Sequence, residues 1–376
     1  MDDIRTSLYK KTGGFMKGIC HPRGDYESLT GAGLGWIRRD TPYPFDNDGN
    51  LSESYRRFVD ETRVYAENGL RSVIVSPYPR EFLAHGIDPR TPEGLDKVRE
   101  VCAFLAKDYR ELGVCWQATN EMFVIHFRMP LTIPESVEFL VASLQGLRAG
   151  DPHGVIGHNT VSLDDGWDDL CRDIDRRTDC DYCGFDLYNG TWSDGDTDTY
   201  IDRINDLYAL CGKPIVLMEF GFASLGGNAH ADRREAYEYL ENLGFHGMDD
   251  LAARADEFVA TLPPRLKHTA ETCAREDLIP ALIGMMPHLT KLWFSEMVFP
   301  HTEEGQAEFY AELLPKLLAN PYLAGAIIYC WQDSHSCFTC GATDCPCETA
   351  WGITRCDGTK KPAYDVIKEI FTKQII

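Results

Sequence analysis

The chain alternates between short strand-like runs and longer amphipathic stretches, and this alternation constrains the fold more than any other feature. Each run is rich in β-branched and aromatic residues and ends in polar or aromatic ones. A strand followed by a helix, repeated eight times, predicts an α/β protein in which parallel strands close into a (β/α)8, or TIM, barrel. The eight runs are residues 13–20, 35–40, 70–78, 113–121, 153–160, 181–189, 213–221 and 325–333.

The stretches between the runs carry helix signals. Residues 52–69 repeat apolar side chains at intervals of three and four and stop at Gly69, as a helix that ends in glycine does. The connection 20–35 is too rich in glycine for a full helix and is the weakest of the eight units. Further helical patterns occupy residues 91–113, 134–150, 198–212 and 303–320.

One spacing between strands is much longer than the others. Strand 7 ends near Gly221 and strand 8 begins near Gly325. Measured against usual barrel connections, the surplus is residues 224–300, which contain helical patterns. We interpret this segment as an elaborated insertion between strand 7 and helix 7 of a single barrel spanning residues 1–376. A cysteine-rich loop, residues 334–350, is expected after strand 8.

The charge balance excludes several classes of partner. The chain has 59 acidic and 37 basic residues and a formal net charge of −22. Nucleic acids and anionic membrane surfaces would repel such a protein, so neither is expected as a partner. The longest apolar stretches, such as 326–330, are far shorter than the roughly 18 residues of a membrane span.

The beginning of the sequence and its cysteines predict a cytoplasmic location. Residues 1–11 lack the apolar run of about 7–15 residues that a secretory signal requires. The 14 cysteines are therefore interpreted as reduced thiols or metal ligands before disulfides.

Two glutamates close strand-like runs at the expected end of the barrel. Glu121 closes the fourth run and Glu219 closes the seventh, each within an otherwise apolar stretch. Reaction centres of such barrels lie at the carboxyl ends of the strands. Either glutamate alone fits an ordinary ion pair equally well. Together, on nearly opposite strands, the two carboxylates can face each other across a substrate.

Several short motifs accompany the two glutamates. Asn120-Glu121 ends strand 4, and Glu219 lies in the sequence Glu-Phe-Gly at the end of strand 7. Further motifs are Arg38 in GWIRRD, Trp331 in YCWQDS and the phrase WGITRCDGTKKPAYDVI near the end of the chain. Together these motifs resemble clan A of the glycoside hydrolases, the retaining β-glycosidases, and family 5 in particular. The resemblance covers almost the whole sequence.

The resemblance implies roles for four side chains. Glu121 would be the acid/base and Glu219 the nucleophile of a double displacement that needs no cofactor. Burial and the charge of Glu219 would raise the pKa of Glu121, while Arg38 and Tyr188 would support ionised Glu219. A retaining mechanism implies carboxyl groups about 5–5.5 Å apart.

Other strand-end residues are candidates for binding the sugar. In the related enzymes, the asparagine before the acid/base binds the sugar 2-hydroxyl, and the resemblance implies this role for Asn120. The alternative is that Asn120 only stabilises a turn or caps a helix. Tryptophans offer a flat face for a sugar ring but are more often core residues. Histidines and strand-end acids can equally be satisfied by neighbours or solvent. The candidates are Arg38, Asn120, His158, Asn159, Asp186, Tyr188, Trp192 and Trp331.

Four cysteines crowd the loop after strand 8. Cys337 and Cys340 form a C-x2-C unit, while Cys345 and Cys347 are separated by one residue. Thiolates so close together predict a structural zinc site, although structural sites usually pair two C-x2-C units. Free thiols, or disulfides in an exported protein, are the alternatives.

The sequence therefore predicts a retaining β-glycoside hydrolase that forms a covalent glycosyl-enzyme. Its substrate is expected to be a neutral β-linked oligosaccharide or small glycoside, cleaved in an exo mode or at short chain length, because the insertion would close one side of the cleft. An endo-acting β-glucanase or β-mannanase of the same clan is the first alternative. A metal-dependent barrel hydrolase using His21, His158 and His335, or a non-catalytic carbohydrate-binding barrel, would be a different class. The sequence is also compatible with a homo-oligomeric assembly.

Overall fold

Eight parallel strands close into a barrel, in a computed structural model that describes residues 3–164, 166–226, 233–295 and 298–373. The strands are arranged in sequence order, and the first pairs with the last. The prediction of a (β/α)8 barrel is confirmed. The strands are β1 (Met16–Cys20), β2 (Trp36–Asp40), β3 (Arg71–Val75), β4 (Cys115–Gln117), β5 (Val155–Thr160), β6 (Tyr182–Leu187), β7 (Ile215–Phe220) and β8 (Leu323–Ile328).

Helices surround the barrel and form its insertion. Two 3₁₀ turns, at 110–112 and 275–277, accompany them. The helices are α1 (Thr6–Thr12), α2 (Tyr26–Gly31), α3 (Glu53–Glu67), α4 (Pro79–Ala84), α5 (Pro92–Asp108), α6 (Ile125–Arg128), α7 (Ile133–Gly150), α8 (Trp167–Arg177), α9 (Thr197–Cys211), α10 (Arg233–Asn242), α11 (Gly247–Ala253), α12 (Ala255–Thr261), α13 (Pro264–Thr272), α14 (Leu278–Gly284), α15 (Met286–Thr290), α16 (Glu303–Ala319), α17 (Pro346–Thr349) and α18 (Pro362–Thr372).

Local signals set the ends of the outer helices. The Ser52 side chain accepts a hydrogen bond from the backbone of Tyr55 and starts α3. Thr132 and Glu135 form a reciprocal capping box at the start of α7. Gly212 ends α9 in the left-handed conformation that glycine adopts without strain. The glycine-rich first connection holds only the six-residue α2, as expected.

The side-chain alternation of the strands separates two apolar layers. On β6, Tyr182 points into the barrel while Phe185 packs in the layer between strands and helices. Gly157 on the neighbouring strand leaves room for the ring of Tyr182, which a Cβ atom would meet at 2.6 Å. The same alternation decides which polar side chains near the carboxyl ends of the strands reach that open end of the barrel, here called the mouth.

The long insertion after strand 7 is confirmed. Helices α10–α15 lie between β7 and α16 and share an apolar cluster that includes Phe245, Phe258 and Leu266. The segment between β8 and α18 contains one short helix, α17. The proposed division into one barrel, an insertion at 224–300 and a loop at 334–350 stays a prediction, and residues 227–232 and 296–297 of that insertion lie outside the described residues.

Among the described helices, none combines the length and apolar character that crossing a bilayer requires. All 14 cysteines lie within the described ranges, and each is a free thiol.

Candidate active site

Arg38 lies at the centre of a hydrogen-bond network inside the barrel mouth. It is almost fully buried near the end of β2. Its guanidinium donates to Glu219 Oε1 at 2.5 Å, to Gln117 Oε1 at 2.8 Å and to Asn120 Oδ1 at 2.7 Å. One fixed cation therefore connects the ends of β4 and β7.

Glu219 receives a second donor from the end of β6. The hydroxyl of Tyr188 donates to Glu219 Oε2 at 2.6 Å, and the glutamate is only 7% exposed. A charge-assisted bond from Arg38 and a phenolic donor both stabilise negative charge on this carboxylate. The structure therefore brings Arg38, Tyr188 and Glu219 together as the resemblance implied.

Glu121 lies in a strained turn just beyond β4. Its φ is +46°, and Thr119 before it has a φ of +51°, both in the left-handed region that non-glycine residues rarely adopt. The turn is held because the Glu121 N–H donates to Asn159 Oδ1 at 3.1 Å and the Thr119 N–H donates to Ser76 Oγ at 3.0 Å. Strain of this kind, costing about 1–3 kcal/mol per residue, concentrates at functional sites.

Three carboxyl groups meet in this mouth. One oxygen each of Glu121, Asp186 and Glu219 lies within 4.8 Å of the other two. Burial, followed by the negative charge of Glu219, raises the pKa of Glu121 to about 8. Burial and the charges of Glu219 and Glu121 also raise the pKa of Asp186 well above its ordinary range. The cluster therefore retains protons near neutral pH.

Asn120 and Asn159 orient one another beside these carboxyls. The Asn120 carbonyl oxygen accepts from Arg38, from Gln117 Nε2 at 3.0 Å and from Asn159 Nδ2 at 2.7 Å. Because three donors converge on that oxygen, the amide nitrogen of Asn120 is the end left for a ligand. Asn159 Nδ2 also donates to Asp186 Oδ2 at 2.5 Å.

The expectation that His158 binds a sugar is wrong. On β5, Asn159 points into the barrel, so its neighbour His158 points outwards to the helices. Its Nε2 atom lies 3.8 Å from Asp175 on α8.

The expectation that Trp331 forms a pocket wall is also wrong. Strand β8 ends at Ile328, and three residues later the Trp331 ring is 3% exposed and packs 6.1 Å from Tyr364 of α18. Tyr329 carries the ring at the mouth instead, 6.1 Å from Tyr188 and 5.9 Å from Trp351. Its position directly after the strand is the signal that could have identified it. Trp192 is 41% exposed, and its ring packs edge-on against Trp293 of the insertion.

Glu348 is a fourth acid near the mouth that sequence reasoning missed. It lies in α17, within the cysteine-rich loop, where no strand pattern predicts its direction. Burial, followed by the charges of Cys337, Glu219 and Glu121, raises the pKa of Glu348. A hydrogen bond with the Tyr329 side chain, just beyond β8, places Glu348 at the mouth.

The three histidines of the metal-dependent alternative do not converge. Among the described residues, the groups that offer three or more converging ligand atoms include no set of His21, His158 and His335. His158 converges with Asp175 and Cys180 on the outside of the barrel instead.

The predicted cysteine cluster assembles with one change of member. Cys337, Cys340 and Cys345 converge with His288 of α15, and their ligand atoms lie within 4.8 Å of one another. Cys347 is outside this group, which corrects the predicted set. The sequence offered no signal for His288, because it lies in the insertion far from the cysteines along the chain.

Two segments reach across to the loop after β4, the strand opposite β8. Phe338 of the cysteine-rich loop lies 6.3 Å, ring to ring, from His126 of α6. Arg128 of α6 forms a bidentate ion pair with Asp277 of the insertion, with N–O distances of 2.7 and 2.8 Å. We call the insertion and the cysteine-rich loop, which these contacts join to α6, the roof of the barrel mouth.

No protein-family model and no curated protein sequence matches this chain. Its fold is similar to that of a family 39 glycoside hydrolase from Bacteroides cellulosilyticus WH2, with a TM-score of 0.58 and 14% identity over 95% of this chain. It is similar to the GH53 catalytic domain of Ignisphaera aggregans, with a TM-score of 0.56 and 14% identity over 97% of this chain and 94% of that one. A Bacteroides uniformis β-glucuronidase gives a TM-score of 0.56 at 15% identity over 96% of this chain. The chain spans 63% of the family 39 structure and 35% of the glucuronidase.

Proposed function

We propose that this chain is a retaining β-glycoside hydrolase acting on a neutral β-linked oligosaccharide or small glycoside. The proposal rests on one observation. Glu121 and Glu219 lie close together in the barrel mouth, and their surroundings favour opposite protonation states. Glu219 accepts two hydrogen bonds that favour its charged form, whereas burial favours the protonated form of Glu121.

The first chemical step uses both groups. A Glu219 oxygen attacks the anomeric carbon and forms the glycosyl-enzyme bond as the bond to the leaving oxygen breaks. The proton of Glu121 passes to that leaving oxygen. The charge that develops on the sugar ring is stabilised by the remaining carboxylate oxygen of Glu219.

In the second step, Glu121 is ionised and removes a proton from water. The water oxygen attacks the anomeric carbon and releases Glu219, so that the product keeps the β configuration. Oxygens within 4.8 Å fit the carboxyl separation of about 5–5.5 Å in retaining enzymes better than the 6.5–9.5 Å of inverting ones.

The roof supports exo action or specificity for short oligosaccharides. A polysaccharide cleaved internally must leave the cleft at both ends. Here the contacts Phe338–His126 and Arg128–Asp277 join opposite sides of the mouth. An endo-acting β-glucanase or β-mannanase is the second candidate, and it requires this roof to open.

The charged groups of the mouth support a neutral substrate. One fold neighbour is named a β-glucuronidase, and a glucuronide carries an added negative charge. The Arg38 guanidinium is already bonded to Glu219, Gln117 and Asn120, so it is not free to bind a uronate carboxylate. Beside ionised Glu219, that added negative charge would be unfavourable.

A panel of aryl β-glycosides tests the proposal. We expect hydrolysis of at least one neutral glycoside among glucoside, galactoside and mannoside, and none of the glucuronide. Proton NMR of the first product should show the β anomer. An α anomer would replace the retaining mechanism with an inverting one, and binding without hydrolysis would identify a non-catalytic barrel. Faster cleavage of polymeric glucan or mannan than of short oligosaccharides would favour the endo-acting candidate.

A further inference from the structure

We infer that His288, Cys337, Cys340 and Cys345 form a zinc site that fastens the cysteine-rich loop to the insertion. Three cysteines come from the loop after β8, and the histidine comes from α15. The site is separate from the carboxyl cluster, so the inference does not depend on the proposed glycosidase activity.

The spacing of the four ligand atoms fits tetrahedral zinc. His288 Nδ1 lies 3.5 Å from Cys337 Sγ and 3.3 Å from Cys345 Sγ. Zinc bonds of about 2.3 Å to sulfur and about 2.0–2.1 Å to nitrogen, at a tetrahedral angle, place such atoms about 3.6 Å apart. Three thiolates and one imidazole form a closed set, as structural zinc sites have.

The surroundings of the thiols suit a bound metal. The backbone N–H of Cys340 donates to Cys337 Sγ at 3.3 Å, and Lys291 Nζ lies 3.8 Å from Cys340 Sγ. Binding releases the three thiol protons to solvent, so that zinc and three thiolates carry a net charge of −1. Lys291 is placed to offset that charge.

The other converging groups of the described chain are less suited to a metal. Two of them contain Asp175, which already pairs with Lys213 at 2.8 Å. The third contains Glu219, which pairs with Arg38. In each of these three groups, a lysine or arginine side chain already forms an ion pair with the carboxylate that a metal ion would need.

Zinc would hold the roof in place. The loop between β8 and α18 contains one four-residue helix, and little regular structure supports it. That loop carries Phe338 to the opposite side of the mouth and Glu348 to a hydrogen bond with Tyr329, just beyond β8. Arg265 of α13 also donates to the Phe338 carbonyl at 3.0 Å, so the loop and the insertion share a second link.

Metal analysis of the full chain tests the site. The chain is loaded with Zn²⁺ under reducing conditions, freed of loose metal by gel filtration and measured by plasma mass spectrometry. We expect one zinc per chain in the parent protein and in the control variants Cys347→Ala and Cys356→Ser. His288→Ala should lose the tightly held zinc. Zinc-free parent protein should be cleaved by protease within residues 334–350 more rapidly than the loaded form.

X-ray absorption at the zinc edge of the unsubstituted chain keeps the test decisive if a variant fails to fold. Three sulfur neighbours at about 2.3 Å and one nitrogen at about 2.0 Å are expected. Four sulfur neighbours would remove His288 from the site. Absence of zinc from the loaded chain, or a disulfide between Cys337 and Cys345 that persists under these reducing conditions, would overturn the inference.

Discussion

Arg38 of β2 donates to Glu219 at the end of β7 across the barrel interior, with 2.5 Å between Nη1 and Oε1. Both side chains are buried, and the guanidinium also binds Gln117 and Asn120. Removing one partner of a buried pair leaves an uncompensated charge, which is costly. A test of Glu219 must therefore separate its chemistry from its part in this network.

Glu219→Gln makes that separation. The amide keeps an oxygen for Arg38, and its NH2 group can donate to the Tyr188 hydroxyl, which accepts instead of donating. It cannot form the glycosyl-enzyme bond. We expect kcat/KM for an aryl β-glycoside to fall on the order of 10³-fold or more, with a circular-dichroism spectrum like that of the parent. Glu100→Gln, on the exposed face of α5, is the matched control. Turnover close to that of the parent in Glu219→Gln would exclude the nucleophile role.

The pH profile tests Glu121. The first step requires the protonated acid, and burial raises the pKa of Glu121 to about 8. Its proton is lost as the pH rises through that value, so kcat/KM should decline on the alkaline side near pH 8. Glu121→Gln should remove this alkaline limb and spare the first step for substrates with good leaving groups, which need little protonation. Equal losses for good and poor leaving groups would contradict the acid role.

Asp186 links the carboxyl cluster to folding stability. Its pKa is raised by burial and by Glu219 and Glu121, so the folded chain binds a proton that the unfolded chain has released above its ordinary pKa. The free energy of unfolding should therefore decrease as pH rises above about 4. Asp186→Asn should make this decrease shallower in urea unfolding measured from pH 5 to 8. The exposed Asp60→Asn should leave the slope unchanged, and an equal slope in Asp186→Asn and the parent would contradict the assignment.

The sequence was sufficient to predict the strands and helices that recur along the chain and the residues that end a strand. It was not sufficient for features that depend on the direction of a side chain. Eight runs were enough to predict the barrel, and Glu121 and Glu219 were found because each follows an apolar run. His158 was misplaced because a shift of one residue along a strand reverses the side chain. His288 and Glu348 come from the insertion and the cysteine-rich loop, whose folding depends on tertiary contacts that have no periodic signature.

Tyr329 and Trp331 should respond differently to substitution. Tyr329→Ala removes a ring beside Tyr188 at the mouth, so we expect a raised KM with a small change in melting temperature. Trp331→Ala empties a buried site against Tyr364 and should lower stability by about 3–5 kcal/mol. Steady-state kinetics and urea unfolding measure the two effects. A raised KM in a fully folded Trp331→Ala variant would return that tryptophan to the pocket wall.

Phe338→Ala tests the roof. Phe338 is 54% exposed and touches the opposite side of the mouth through His126, so its removal should cost little stability. Loss of this contact opens a path for longer substrates, and the ratio of kcat/KM for a tetrasaccharide to that for a disaccharide should rise. Ile283→Ala, an exposed apolar truncation on α14, should leave the ratio unchanged. The roof has no part in limiting substrate length if the two variants give the same ratio as the parent.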